Sequence, residues 1–410
     1  MTYRVQVSQH AWNSSTAPLS PERVALHHFR KSKKMNDFPY LERRVCAMVL
    51  GLACLVPTVL AAQTNQSAAL RWLAKADLAP AFQAPASLQD WEKQRGSIRE
   101  QLWRLLGKLP PRPALPRAQI VAKEDHGDYW VEKFQFDNGA GSLVPGYVIL
   151  PKGLSGKAPA ILYCHWHGGE YEIGKEELFQ ARHIPEAPGP ALARKGFIVL
   201  GIDAYCFGER NGLGPGGPDE KGSQGEQSAS KFNLWVGRTL WGMILRDDLM
   251  ALDYLASRPE VDAARIGAMG MSMGATRAWW LMALDDRIHA GVSICCLTRY
   301  QNIIESGLLK AHGIYYFVPN ILNHFDTEAI VALIAPRPAL FLDGDQDPTS
   351  PIGGIRAIET AVRPVYSLYG KEGHFQSVVY PGQGHLYTPA MWETTLAWLD
   401  ANLKAASTNR

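Results

Sequence analysis

"RIGAMGMSMGATRAWW", residues 265–280, decides how the rest of the chain is read. Ser272 stands between two methionines and two glycines, Gly270 and Gly274, with an apolar strand-like run before it and a helix-like run after it. G-x-S-x-G at a strand-to-helix junction is the pattern of a nucleophile elbow. The tight turn strains the serine backbone, the flanking glycines relieve crowding, and the hydroxyl is lifted off the sheet edge. A serine that only caps the following helix is the alternative. The two methionines are expected to flank the turn and pack downward.

Outward from the elbow, short apolar runs recur between helical stretches: "APAILYC", "GFIVLGIDAY", "RIGAMGM", "HAGVSIC", "PALFLDG" and "QSVVYPG". Such runs predict an α/β fold with a mostly parallel central sheet and crossover helices on both faces. Upstream, "YWVEKFQFDN" alternates and "SLVPGYVILPKG" follows it, which predicts an antiparallel entrance. In "LQDWEKQRGSIREQLWRLLGKLP", Trp91, Ile98, Leu102 and Leu105 recur at helical spacing until prolines stop them. This predicts a short N-terminal helical extension over residues 63–115, too small for a core of its own. The catalytic domain is then 116–405. Its last helix should start at Thr388 as N-cap with Pro389 behind it, burying Trp392, Leu396, Leu399 and Leu403.

A serine hydroxyl needs a base, and the base needs an orienting acid. Three aspartates end the run "RPALFLDGDQDPTSP". Asp343 is within the strand and Asp345 in the turn, while Asp347 lies just past the strand end, where a carboxylate can reach an imidazole. Asp347 is the expected acid and Asp345 the reserve. The base is expected at His385, directly after the last strand; His374 precedes that strand and should sit at its opposite end. An oxyanion needs donors as well. One is expected from the backbone N–H of Met273. The second should come from "HWHGGE": the N–H of His167 if His165 takes the leading position, or that of Gly168 or Gly169 if His167 does.

His165 and His167 could instead form a metal pair on one strand face, but no third ligand stands at telling spacing. Neither a metal nor a cofactor is expected. The run "GKEE" at 174–177 reads as a solvated helix start, and the glycine-rich 207–226 as a mobile rim over a pocket.

Residues 42–63, "ERRVCAMVLGLACLVPTVLAAQ", pair two arginines with an apolar run and small residues, the form of a secretory signal. Residues 1–62 are therefore expected to be a targeting segment, with Met35 as a candidate start, and the protein to be exported, either periplasmic or secreted. Pro57 and the polar residues after it leave the run short for a stable membrane span. Of the formal net charge of +3, residues 1–62 account for +5 (eight Lys/Arg against three Asp/Glu), so the remainder stands at −2. No basic stripe for nucleic acid is left. Cys164, Cys206, Cys295 and Cys296 lack the spacing of a disulfide framework, though Cys164 and Cys206 could pair. The twelve tryptophans suit either core packing or an aromatic cleft, with Trp166, Trp235 and Trp241 as candidate sugar platforms.

Taken together, "CHWHGGEYEIGKEEL", "DAYCFGERNG", "RDDLMALDYLASRPEVDAARIGAMGMSMGATRAWWLMALDDRI", "LIAPRPALFLDGDQDP" and "VVYPGQGH" resemble the α/β-hydrolase superfamily. Within it the likeness is to exported dienelactone-hydrolase-like and acetyl xylan esterase-related proteins, over residues 90–403. The resemblance implies nucleophile, acid and base at Ser272, Asp347 and His385, and places Glu209 and Arg210 as buried structural partners. It departs from dienelactone hydrolases in having serine where they carry cysteine, and from the usual His-Gly loop in having Trp166. The expected function is an exported serine esterase removing acyl groups, above all acetyl, from carbohydrate or another small ester. A peptidase of the prolyl oligopeptidase type is the nearest rival, but residues 63–115 cannot form its propeller. A non-catalytic binding module on the same scaffold is the other alternative. Substrate choice should lie in loops 166–185, 207–235 and 297–325; oligomeric state is not legible.

Overall fold

Nine strands form one sheet in the order β1-β2-β3-β5-β4-β6-β7-β8-β9. This computed structural model describes residues 68–404. The targeting segment 1–62 and the candidate start at Met35 lie outside the described residues. Strands β1 (Gln119–Asp125), β2 (Tyr129–Asp137) and β3 (Leu143–Pro151) are antiparallel, and β3 joins β5 (Ile198–Ile202) antiparallel. From there β4 (Ala158–Cys164), β6 (Val261–Met271), β7 (Ala290–Ile294), β8 (Ala339–Gly344) and β9 (Phe375–Tyr380) run parallel. β1 escaped the sequence reading for a physical reason: nearly all its side chains are exposed, so no apolar alternation marks it.

β4, β5, β7 and β8 are buried along their whole length, as parallel strands covered on both faces must be. Alternate residues feed two cores. Ala160, Leu162 and Cys164 enter one with helices α1 (Leu88–Leu106), α4 (Leu240–Ser257), α5 (Met273–Leu284), α7 (Thr327–Ala332) and α8 (Ile352–Leu368). Ile161 and Tyr163 enter the other with α2 (Pro188–Arg194) and α9 (Pro389–Leu399). Between these, α3 (Gly222–Trp235) precedes α4, and α6 (Tyr300–Glu305) follows β7.

Helix α1 starts where Ser87 Oγ accepts the Asp90 N–H, and it buries Trp91, Ile98, Leu102 and Leu106 in the first core. Leu106, rather than Leu105, completes the stripe. The Thr388 hydroxyl caps α9 as expected, and Trp392, Leu399 and Leu403 are buried. The four cysteines among the described residues are free, so Cys164 and Cys206 do not pair.

Candidate active site

The close approach of two chain segments explains the elbow's glycines. A Cβ on Gly274 would stand 2.0 Å from the Cys164 carbonyl oxygen, and one on Gly270 would stand 2.3 Å from the same atom. That obstacle is backbone and cannot yield. Ser272, pinned where its N–H donates to the Ile294 carbonyl at 2.8 Å, has φ +57°, a left-handed conformation that costs energy for any residue with a side chain. Met271 and Met273 are both buried, one in each core. The elbow therefore straddles the sheet.

Every candidate except His374 lies beyond the carboxyl end of a parallel strand, where ligand sites of such sheets collect. Asp347 follows β8 and His385 follows β9, and His385 Nδ1 lies 2.7 Å from Asp347 Oδ2. Thr349 completes the arrangement: its N–H and its hydroxyl both donate to Asp347 Oδ1 at 2.8 Å, and its Oγ1 lies 3.0 Å from His385 Nδ1. With Nδ1–H committed to the carboxylate, Nε2 is the ring atom left to act as base. Burial by itself would raise Asp347, but the His385 hydrogen bond and charge, together with the Thr349 donors, hold it below the usual carboxylate range. Asp345 does something else: its Oδ1 accepts the Gly382 N–H at 2.7 Å and ties down the loop before His385. His374 bonds the Pro336 carbonyl, at the far end of β9.

Ser272 and His385 line one cavity of about 380 Å³, together with His167, Gly168, Lys310 and His312. Clefts of this size hold small ligands. None of Trp166, Trp235 and Trp241 is in its lining. Trp241 is wholly buried and Trp235 is 91% exposed, outside that cavity.

Met273 N–H opens α5, where backbone donors and the helix dipole favour negative charge. On the opposite loop, His165 is buried and structural. Its Nε2 accepts the Ala204 N–H at 3.0 Å, and its Nδ1 lies 2.7 Å from the Trp166 carbonyl. Burial first, then the Arg277 charge, keeps its pKa well below the ordinary range. Both ring nitrogens are therefore occupied, and a His165–His167 metal pair is not available. Cys295, Asp347 and His385 also place ligand-type atoms within 4.8 Å of one another. There, however, the imidazole and carboxylate already bond each other, and the Cys295 thiol donates to the Leu386 carbonyl. Burial pushes that thiol up, against the thiolate a metal needs.

Several polar groups depart from the sequence reading. The "GKEE" run is not a solvated helix start: it forms a 3₁₀ turn in which Lys175 and Glu177 are buried. Lys175 lies between Asp203 at 2.9 Å and Glu209 at 2.6 Å. Glu177 accepts the Tyr163 hydroxyl at 2.5 Å and the Trp166 N–H at 2.7 Å, so it anchors the loop carrying His167. Burial pushes its carboxyl up to about 7, against the lowering effect of those donors. Arg210 is buried against Asp247 at 2.9 Å, whereas Glu209 is exposed. Thr349 escaped the sequence reading although Asp347-Pro348-Thr349 suits an Asx turn, in which the Asp side chain accepts the N–H two residues on. Nothing local singled out His312, Lys310 or Glu226.

This geometry, a serine elbow on a doubly covered parallel sheet with a His–Asp pair at the same sheet end, defines an α/β-hydrolase. The chain belongs to the Abhydrolase family, whose model matches residues 69–376. It is 36% identical over 307 residues to the protein YtaP of Bacillus subtilis (strain 168), covering 74% of this chain and 98% of that one. Among solved structures it is similar to a glucuronoyl esterase from Solibacter usitatus (TM-score 0.61, 18% identity, 79% of this chain and 97% of that one). It is also similar to an acetyl xylan esterase from Paenibacillus sp. R4 (TM-score 0.51, 20% identity, 80% and 98%). At these identities the two structures speak for the fold.

Proposed function

We propose that the protein is an exported serine hydrolase of carboxylic esters, acting on acylated carbohydrate or a similarly small ester, with acetyl as the preferred acyl group. The observation that carries this reading is that Ser272 and a histidine already oriented by Asp347 share one cavity. In the proposed cycle, Ser272 Oγ attacks the ester carbonyl while His385 Nε2 takes its proton. The resulting imidazolium is balanced by Asp347 and returns the proton to the departing alcohol. Water then attacks the acyl-enzyme with the same base. Negative charge on the tetrahedral oxygen falls to the Met273 N–H and a donor from the His167–Gly168 loop. No cofactor takes part. The helical segment within 63–115 serves as a cover rather than a gate, and residues 1–62 as the export signal.

The esterase names of the structural relatives support a carbohydrate ester as substrate. The test is p-nitrophenyl acetate turnover by purified protein beside Ser272→Ala, followed by acetylated sugars, uronate methyl esters, feruloyl esters and peptide amides. Turnover lost in the variant, with esters preferred over amides, is the expected result. Equal rates for both proteins would remove the reading, and a preference for amides would turn it towards a peptidase.

A further inference from the structure

The imidazole of His167, which lines the cavity, belongs to a second histidine–carboxylate pair that the proposed cycle does not use. His167 Nε2 lies 2.9 Å from Glu226 Oε2, and Glu226 is a buried residue on α3. The Tyr171 hydroxyl donates to the same oxygen at 3.2 Å. On the other side of the ring, the Gly169 N–H donates to His167 Nδ1 at 3.0 Å. A nitrogen that accepts a backbone N–H carries no proton, so the ring is the Nε2–H tautomer and donates to Glu226. The carboxylate, an acceptor only, selects that tautomer.

We infer that the His167–Glu226 pair positions the oxyanion loop: Glu226 keeps Nδ1 unprotonated, and Nδ1 grips the Gly169 amide and so sets the loop's shape. This inference rests on the ester-hydrolase reading above. Gly168 and Gly169 have φ of +52° and +75°, left-handed values that glycine permits but does not enforce. Something must hold them, and the bonds that do so are the Gly169 N–H to Nδ1 and the Glu170 N–H to the His167 carbonyl at 2.9 Å. The Gly169 amide is thereby committed to the ring. The donors this loop can offer an oxyanion narrow to the N–H groups of His167 and Gly168.

The ring is also where the three substrate-shaping loops meet. Tyr315 stacks on it at 5.0 Å, while Tyr171 and Phe207 present edges at 4.9 and 5.1 Å. The segment that walls the cavity passes so close to Glu226 that a Cβ on Gly313 would stand 2.9 Å from Oε1. A buried carboxylate is costly unless hydrogen-bonded. Here its donors are the imidazole and Tyr171, and what that arrangement achieves is a fixed tautomer beside the reacting serine.

The test is a double-mutant cycle on p-nitrophenyl acetate with His167→Phe, which keeps an aromatic ring among its neighbours but removes both nitrogens, and Glu226→Leu. Each single variant should lower kcat by about 10- to 100-fold with KM within about threefold, the signature of lost transition-state positioning. Because the two side chains act as one unit, the double variant should be no slower than the worse single. Kcat within threefold of wild type in both variants, or losses that multiply, would overturn the inference. Fluorophosphonate labelling of Ser272 in the wild type separates this failure from failure of the esterase reading, since labelled, active wild type with unaffected variants sinks only the positioning role. Should either variant fail to fold, ¹⁵N-histidine NMR of the wild type decides: an Nε2–H tautomer at His167 is required, and an Nδ1–H tautomer would refute the claim.

Discussion

His385 Nδ1 and Asp347 Oδ2 stand 2.7 Å apart although 38 positions separate the residues in the chain. β8 and β9 are parallel neighbours, so the loops that leave their carboxyl ends emerge side by side. Two carboxylates could in principle have met this imidazole, and Asp345 spends itself on the Gly382 amide instead. Asp347→Asn should therefore lower kcat on p-nitrophenyl acetate by about ten-thousand-fold, the scale seen when an orienting acid becomes an amide and the histidine tautomer goes wrong. Asp345→Asn keeps an acceptor for Gly382 and should stay within about threefold. Steady-state kinetics on both variants checks this, and a larger loss in Asp345→Asn would reverse the assignment.

The elbow should be intolerant of a single methyl group. In Gly274→Ala the new Cβ meets the carbonyls of Cys164 and His165 at 2.0 and 3.0 Å, all backbone on a central strand and its exit. A stability loss of about 3 kcal/mol or more is expected, at the upper end for overpacking because no side chain can swing away. Urea denaturation followed by circular dichroism measures it; a midpoint equal to wild type would contradict the close approach.

Arg277, one turn into α5, is buried and makes a two-pronged pair with Asp248 at 2.9 and 2.5 Å, with a third contact to the His165 carbonyl at 3.4 Å. Arg277→Met should cost about 3–5 kcal/mol, because it strands Asp248 without its partner. Combining it with Asp248→Leu should recover much of that loss, since the unpaired charge is then gone as well. The comparison of single and double variants in urea is the measurement, and equal destabilisation in both would show that packing, rather than charge, sets the cost.

Asp343 yields a pH dependence with a definite sign. Burial pushes its carboxyl up to about 8; the Leu297 and Cys296 N–H groups oppose this and the Asp347 charge adds to it. In the unfolded chain the same group titrates near 3.8. The folded state therefore binds the extra proton, so this stabilisation is fully present below pH 4 and is lost as pH rises through 8. Asp343→Asn keeps an acceptor for both amides and removes the titration. Wild-type stability should decline relative to the variant between pH 5 and pH 9, read from urea midpoints at several pH values. A constant difference across that range would refute the shift.

Much of this was legible from local pattern. The parallel strands announced themselves because burial on both faces demands unbroken apolar runs, and the elbow because a left-handed serine under a neighbouring carbonyl leaves room only for glycine on either side. The order serine, aspartate, histidine is that of the fold, and Asp347 and His385 were picked out within it by their places just past the last two strands. Where the reading failed on the site's surroundings, it failed mainly on polar residues. Lys175 looked solvated and is buried, because its counter-charge on Asp203 arrives from just past the end of β5, 28 positions away. Glu226 carried no signal at all, since its partner imidazole is 59 positions distant.

Periodicity reports which side of an element is dry, and that is a property of a few adjacent residues. Hence strands, helices and the elbow could be read directly along the chain. Which of Asp345 and Asp347 turns to His385, and which amide of the "HWHGGE" loop His167 occupies, depends instead on how loops from different strands stack over the sheet. Hydrogen bonds are short and directional, so those choices exist only once the distant segments have come together.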